Sequence, residues 1–183
     1  MVKIRTLGPF LVMAAAAAAS SAGATVLVSV EEALELAFPG ATTVRQTLFL
    51  TDDQLRDSVE LSGTEIQSAL VTRHVAKGGD GAVVGYAYLD THRVRTLPET
   101  LMIVVGVDGT VMRVEVVVFR EPVEYMPRAG WYRQYDGEDL DDDLVLERGI
   151  RPVTGATLTA RATTEAVRRV LSIHEVVSAG GAP

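Results

Sequence analysis

Hydroxyl groups and one glycine gather in the segment Thr154–Thr159, which reads TGATLT. Gly155 has no Cβ, so the backbone can approach a ligand closely at that position. The segment precedes an amphipathic stretch, and the free N–H groups and positive dipole of a helix N-terminus favour an anion. These residues therefore predict a phosphate-binding turn. The same residues also allow a second interpretation, in which Thr157 or Thr159 caps the helix and no ligand binds.

The helix that follows is predicted from its apolar spacing. Four apolar residues recur at helical intervals and form one stripe, with charged residues largely on the other face: Ala166, Val167, Val170 and Leu171. We expect this helix to run from about Thr159 to about His174.

The TGATLT segment and its helix resemble the flavinylation motif of the FMN-binding domain family. That family includes flavin subunits of the sodium-translocating NADH:quinone reductase and of the Rnf electron-transport complex. In its pattern an aspartate, two variable residues, Ser or Thr, Gly, Ala, and then Thr or Ser carry FMN as a phosphodiester on the final hydroxyl. The resemblance implies an FMN site in which Thr157 is the attachment point, with these neighbours around it: Thr154, Gly155, Ala156, Leu158 and Thr159.

The sequence departs from the family pattern at one position. Arg151 stands where the family has aspartate, and Pro152 follows it. A reversed charge could weaken recognition by the flavin transferase that attaches FMN. Alternatively, Arg151 could bind the FMN phosphate through charge-assisted hydrogen bonds.

The resemblance extends more loosely upstream of the motif. Thr100–Val107 and Val111–Phe119 are predicted strands that form a hairpin around Asp108-Gly109. A segment containing Glu121 and Pro122 then leads towards the motif. This order is similar to that of the family, and it implies that Glu121 and Pro122 belong to the cofactor site.

Met1–Ala24 has the features of a secretory signal peptide. Basic residues precede the mostly apolar stretch Leu7–Ala19, and Ala22–Ala24 offers a small-residue cleavage site. We expect a periplasmic or extracytoplasmic protein, anchored in the membrane if the signal stays uncleaved. Residues 25–183 are then expected to form one FMN-binding domain.

Composition limits the possible partners and redox groups. The chain has a formal net charge of −7, which argues against nucleic acid as a partner. Cysteine is absent, so the chain has no disulfide, thiolate metal site or thioether-linked haem. Electron transfer would therefore need another carrier, and the family resemblance suggests that this carrier is a flavin on Thr157.

The remaining elements predict an α+β fold, in which a mostly antiparallel sheet is flanked by helices and the carboxy-terminal helix opens at the TGATLT motif. A second helix is expected where Thr51 resembles an N-cap, ending before Gly63. The other predicted elements are one helix, Val30–Phe38, and three strands, Thr43–Leu50, Ile66–Val75 and Ala82–Leu89.

Two further segments carry open alternatives. Asp90–Thr96 is polar and locally basic; it could bind a phosphate or the polar edge of a flavin, or it could be a solvated loop. An aromatic cluster could stack on an isoalloxazine ring, dock a partner or simply cover the end of the sheet; it comprises Phe119, Tyr125, Trp131, Tyr132 and Tyr135.

Taken together, these features favour an exported FMN-binding domain that relays electrons to a redox partner protein or a membrane electron-transport complex, after maturation by a flavin transferase. Two alternatives remain. A flavin-dependent periplasmic reductase would turn over with a donor and a small acceptor, whereas a cofactor-free binding module would stay colourless with FMN.

Overall fold

A computed structural model describes residues 25–180, and the predicted signal peptide lies outside this range. The described chain is built around an antiparallel sheet of six strands, in the order β1-β6-β5-β4-β3-β2. The strands are β1 (Thr25–Val26), β2 (Thr42–Phe49), β3 (Leu70–Lys77), β4 (Val83–Arg93), β5 (Pro98–Val105) and β6 (Val111–Phe119). Together with helices on both faces, this sheet confirms the predicted α+β fold.

Helix α1 (Val30–Ala37) covers one face of the sheet. The hydroxyl oxygen of Ser29 accepts from the backbone N–H of Glu32 and starts the helix, which ends where Pro39-Gly40 follows. Its apolar side packs on alternate residues of the central strands, in a cluster that contains Ala33, Leu34, Phe38, Ala76, Ala87, Met102, Val104 and Val117.

Helix α2 (Asp52–Ser62) begins at the predicted cap. The Thr51 hydroxyl accepts from the backbone N–H of Gln54, whose side chain accepts from the backbone N–H of Thr51. Gly63 ends the helix in the left-handed region, with φ of 65°. The prediction of this helix is therefore confirmed.

Helix α3 (Thr157–Ala179) packs on the opposite face of the sheet and contacts α2. The predicted apolar stripe is buried there, against residues of β4, β5 and β6. The helix extends beyond the predicted end because Ile173 and Val177 continue the stripe and are buried in the same core.

Two strand boundaries differ from the prediction by four residues, and the other differences are one or two residues. β3 starts at Leu70 instead of Ile66, because the Ser68 hydroxyl accepts from the backbone N–H of Leu70 and forms a local turn before the strand. β4 continues past Leu89 to Arg93, so four of the seven residues of the polar segment Asp90–Thr96 belong to the strand. No helix within residues 25–180 combines the length and the apolar character that a membrane span requires.

Candidate functional site

The TGATLT segment forms a tight turn that leads directly into α3. Gly155 has φ of +85°, and the backbone N–H of Ala156 donates to the carbonyl oxygen of Val153 at 3.1 Å. This backbone conformation favours glycine. The first N–H groups of a helix have no intrahelical acceptor, and no side chain among the described residues caps them here.

Thr157 and Thr159 have roles other than helix capping. Ala156 occupies the N-cap position, so the interpretation of Thr157 or Thr159 as the cap is wrong. The exposed Thr157 hydroxyl donates to the carbonyl oxygen of Val153 at 3.2 Å. The buried Thr159 hydroxyl donates to the carbonyl oxygen of Tyr125, which ties α3 to a short 3₁₀ helix, Val123–Tyr125.

A cleft of about 200 Å³ opens at this helix N-terminus, lined by Arg95, Tyr125 and residues 155–159. The guanidinium carbon of Arg95 lies 5.0 Å from the centroid of the Tyr125 ring. A cation on the loop and the positive end of a helix therefore face the same cleft, although the whole chain is acidic.

Glu121 holds the loop that carries Arg95. Its Oε1 atom accepts from the backbone N–H groups of Arg95, Thr96 and Leu97, at 3.2, 2.7 and 2.8 Å. Burial acts to raise the pKa of Glu121, but these backbone hydrogen bonds outweigh it and lower the pKa below its ordinary value. Pro122 follows and leads into the 3₁₀ helix that carries Tyr125. Both residues thus support walls of the cleft and do not line it.

Arg151 and Thr154 lie outside the lining of the cleft. The Nε of Arg151 donates to the side-chain oxygen of Gln134 at 3.2 Å, and its carbonyl oxygen accepts from Trp131 Nε1 at 2.7 Å. These contacts anchor the chain before the turn to a second 3₁₀ helix, Ala129–Tyr135. Thr154 is exposed beside Gly155.

The aromatic cluster divides into a buried part and a part at the cleft. Phe119, Tyr132 and Tyr135 are buried in the core between the sheet and α3, which agrees with the covering role. Trp131 packs edge-on against Tyr132 and Tyr135. Of the five aromatic residues, Tyr125 is the one that lines the cleft.

A charged network that the sequence did not reveal lies beneath the same loop. His92 Nδ1 is 2.8 Å from Asp90 Oδ1, and His92 Nε2 is 3.1 Å from Glu99 Oε2. Arg169 of α3 donates to both oxygens of Asp90, at 2.9 and 3.2 Å. We call these four residues the buried charge network, because the exposed fraction of each side chain is at most 15%.

Hydrogen bonds in this network favour the charged forms of His92 and Asp90, whereas burial disfavours the charged form of Glu99. Burial acts to lower the pKa of His92, but its hydrogen bonds to Asp90 and Glu99 raise it to about 9. Burial acts to raise the pKa of Asp90, but hydrogen bonds from His92 and Arg169 lower it. For Glu99, burial dominates over His92 and raises the pKa. His92 is therefore a buried imidazolium at neutral pH.

Within residues 25–180, no group of three or more His, Cys, Asp or Glu residues could hold a metal ion. The acidic stretch after the second 3₁₀ helix forms a loop, in which Asp141 Oδ1 accepts from the backbone N–H groups of Asp143 and Leu144.

Comparisons with protein-family models, curated proteins and solved structures found no match for this chain. What the cleft can bind therefore has to be inferred from its own residues and from the resemblance of the TGATLT segment.

Proposed function

We propose that this chain is an exported FMN-binding domain that relays electrons, with the flavin phosphate at the N-terminus of α3. The observation that supports this proposal is the cleft, where uncapped helix N–H groups, the glycine turn and Arg95 converge. This is the donor set that a phosphate needs: backbone N–H groups without a Cβ in the way, and one guanidinium.

The phosphate contacts alone would not hold the cofactor. A helix N-terminus contributes about 0.3 to 1 kcal/mol, and a hydrogen bond to a charged group about 1.5 to 3 kcal/mol. Apolar surface beside the cleft offers further contacts. Leu158, in the first turn of α3, is 49% exposed, and Val123, in the 3₁₀ helix that carries Tyr125, is 59% exposed. Such surface suits an isoalloxazine ring better than it suits a free inorganic ion.

Thr157 is the proposed attachment point. Its hydroxyl is exposed at the first residue of α3, where a flavin transferase could reach it. In the proposed reaction, the Thr157 oxygen forms a bond to the phosphorus of an activated flavin nucleotide, loses its proton and displaces the leaving group of that nucleotide. The protein would then supply binding and orientation, and FMN the redox chemistry. The electron acceptor would be a redox partner protein or a membrane electron-transport complex.

The covalent claim is tested by coexpression with a flavin transferase and in-gel fluorescence under denaturing conditions. We expect a fluorescent band for the wild type and for Thr157→Ser, which keeps the hydroxyl, and no band for Thr157→Ala. Thr47→Ala, at an exposed threonine of β2 outside the motif, is the matched control and should retain the band. A wild type without an adduct would remove covalent attachment, and equal labelling of Thr157→Ala would move it to another residue.

A further inference from the structure

The buried charge network joins the two walls of the cleft. Arg95 lies at the tip of the β4–β5 hairpin, which is closed by the hydrogen bond from Val94 N–H to the carbonyl oxygen of Leu97. His92 and Glu99 pair directly below that tip, in register across the two strands. The other wall of the cleft is the first turn of α3, and α3 also carries Arg169, which binds Asp90.

The arrangement of His92 argues against a role in acid–base catalysis. Both ring nitrogens are already hydrogen-bonded to carboxylates, so neither is free to accept a proton from a substrate. The network is also a poor device for stability alone, because buried ion pairs often contribute no more than well-packed apolar residues would. What the buried charge network does specifically is connect the β4–β5 hairpin to α3.

We propose that Asp90, His92, Glu99 and Arg169 are positioning residues that hold Arg95 in register with the N-terminus of α3, so that both bind one phosphate. This inference rests on the proposed function, because it assumes that the cleft binds a flavin phosphate. Glu121 also holds the backbone of the tip, by accepting from the N–H groups of Arg95, Thr96 and Leu97.

The network makes this positioning sensitive to alkaline pH. The groups that face the His92–Glu99 pair come from three elements: Asp90 from β4, Arg169 from α3, and Tyr132 and Tyr135 from the second 3₁₀ helix. Burial raises the pKa of both tyrosines, so they remain neutral in the range where His92 loses its proton, near its pKa of about 9. A neutral His92 has one ring N–H and can donate to only one of the two carboxylates, Asp90 or Glu99. The hydrogen bond to the other carboxylate is then lost below the hairpin tip.

The first experiment compares two charge-neutralising variants of the same helix. Arg169→Gln removes the link to Asp90. Arg161→Gln removes an exposed charge that lies nearer to the cleft, four residues from Thr157 against twelve for Arg169. The probe is FMN, with riboflavin as the ligand without phosphate. We expect FMN affinity to fall about tenfold in Arg169→Gln and less than threefold in Arg161→Gln, with riboflavin affinity unchanged in both. Equal losses of FMN affinity in the two variants would mean that the effect comes from removing one positive charge from α3, and would overturn the proposal.

A second measurement separates this inference from the proposed function. Hydrogen exchange at the backbone N–H groups of Thr96 and Leu97 reports on the tip without any ligand. We expect faster exchange in Arg169→Gln than in Arg161→Gln. If the wild type binds no FMN but this difference is present, the proposed function fails and the positioning survives. If exchange is the same in the two variants, positioning is refuted whether or not FMN binds.

A third measurement needs no variant, in case Arg169→Gln does not fold. The ratio of FMN to riboflavin affinity of the wild type is followed from about pH 8 to about pH 10, a range in which the phosphate is fully ionised. We expect the ratio to fall as pH passes through about 9. A constant ratio would contradict the proposal.

Discussion

The imidazole Nε2 of His92 lies 3.1 Å from Oε2 of Glu99 and joins β4 to β5 inside the core. The other ring nitrogen contacts Asp90, which in turn binds Arg169 of α3. The His92 imidazolium therefore links β4 to β5 directly and links both strands to α3 through Asp90 and Arg169.

The protonation of His92 predicts how stability depends on pH. Its pKa in the folded protein, about 9, lies above the ordinary value of 6.5. Protonated His92 therefore stabilises the folded state fully below about pH 6.5. As pH rises through about 9, this contribution is lost, and the free energy of unfolding falls by on the order of 1 to 3 kcal/mol. Urea unfolding of the wild type and of His92→Gln, at about pH 7 and about pH 10, measures this fall in the free energy of unfolding. The loss should be smaller in the variant, and an identical loss in both would mean that His92 does not cause it.

Arg95 is predicted to discriminate between ligands with and without phosphate. In Arg95→Gln, we expect FMN to bind about 10-fold more weakly, because a charge-assisted hydrogen bond is lost at an exposed site. Riboflavin binding should change little. Arg128→Gln provides the matched control, since Arg128 is exposed and does not line the cleft. Isothermal titration compares the variants; equal effects of the two substitutions would show that Arg95 has no special place at the site.

Substitution of Gly155 is predicted to lower stability because of its backbone conformation alone. A Cβ built at this position meets no atom within 4 Å, so a steric clash is not the issue. The cost comes from φ of +85°, and for Gly155→Ala we expect a loss of about 1 kcal/mol in the free energy of unfolding. Gly155→Asn should lose less, because asparagine tolerates this region better. Chemical denaturation checks the order, and an alanine variant as stable as the wild type would contradict it.

The sequence predicted the secondary structure where local signals are strong. Thr51 and Gly63 bracket α2 as expected, because capping and the left-handed C-cap depend on neighbouring residues. The hairpin around Asp108-Gly109 has the same local origin, with φ of +85° at Gly109. By contrast, the predicted start of β3 at Ile66 is wrong. The Ser68 side chain forms a turn just before Leu70, and hydrophobic periodicity does not detect such a turn.

The buried charge network could not be predicted from local signals. Arg169 is far along the chain from Asp90, and only the docking of α3 on the sheet brings them together. One signal was available in the sequence. Tyr86, Tyr88, Asp90 and His92 alternate with the period of a strand, and this pattern extends the predicted β4 into the polar segment Asp90–Thr96. The role of Glu121 was missed for the same reason, since its three donors belong to a loop that is remote in sequence.

The proposal that a flavin phosphate binds at the start of α3 is tested most directly by titrating the purified chain with FMN and with riboflavin. The two ligands share the isoalloxazine ring and differ in the phosphate. We predict that FMN binds at least about tenfold more tightly, and that Arg95→Gln removes most of this difference. Equal affinity for the two flavins, or no binding of FMN, would contradict the proposed site.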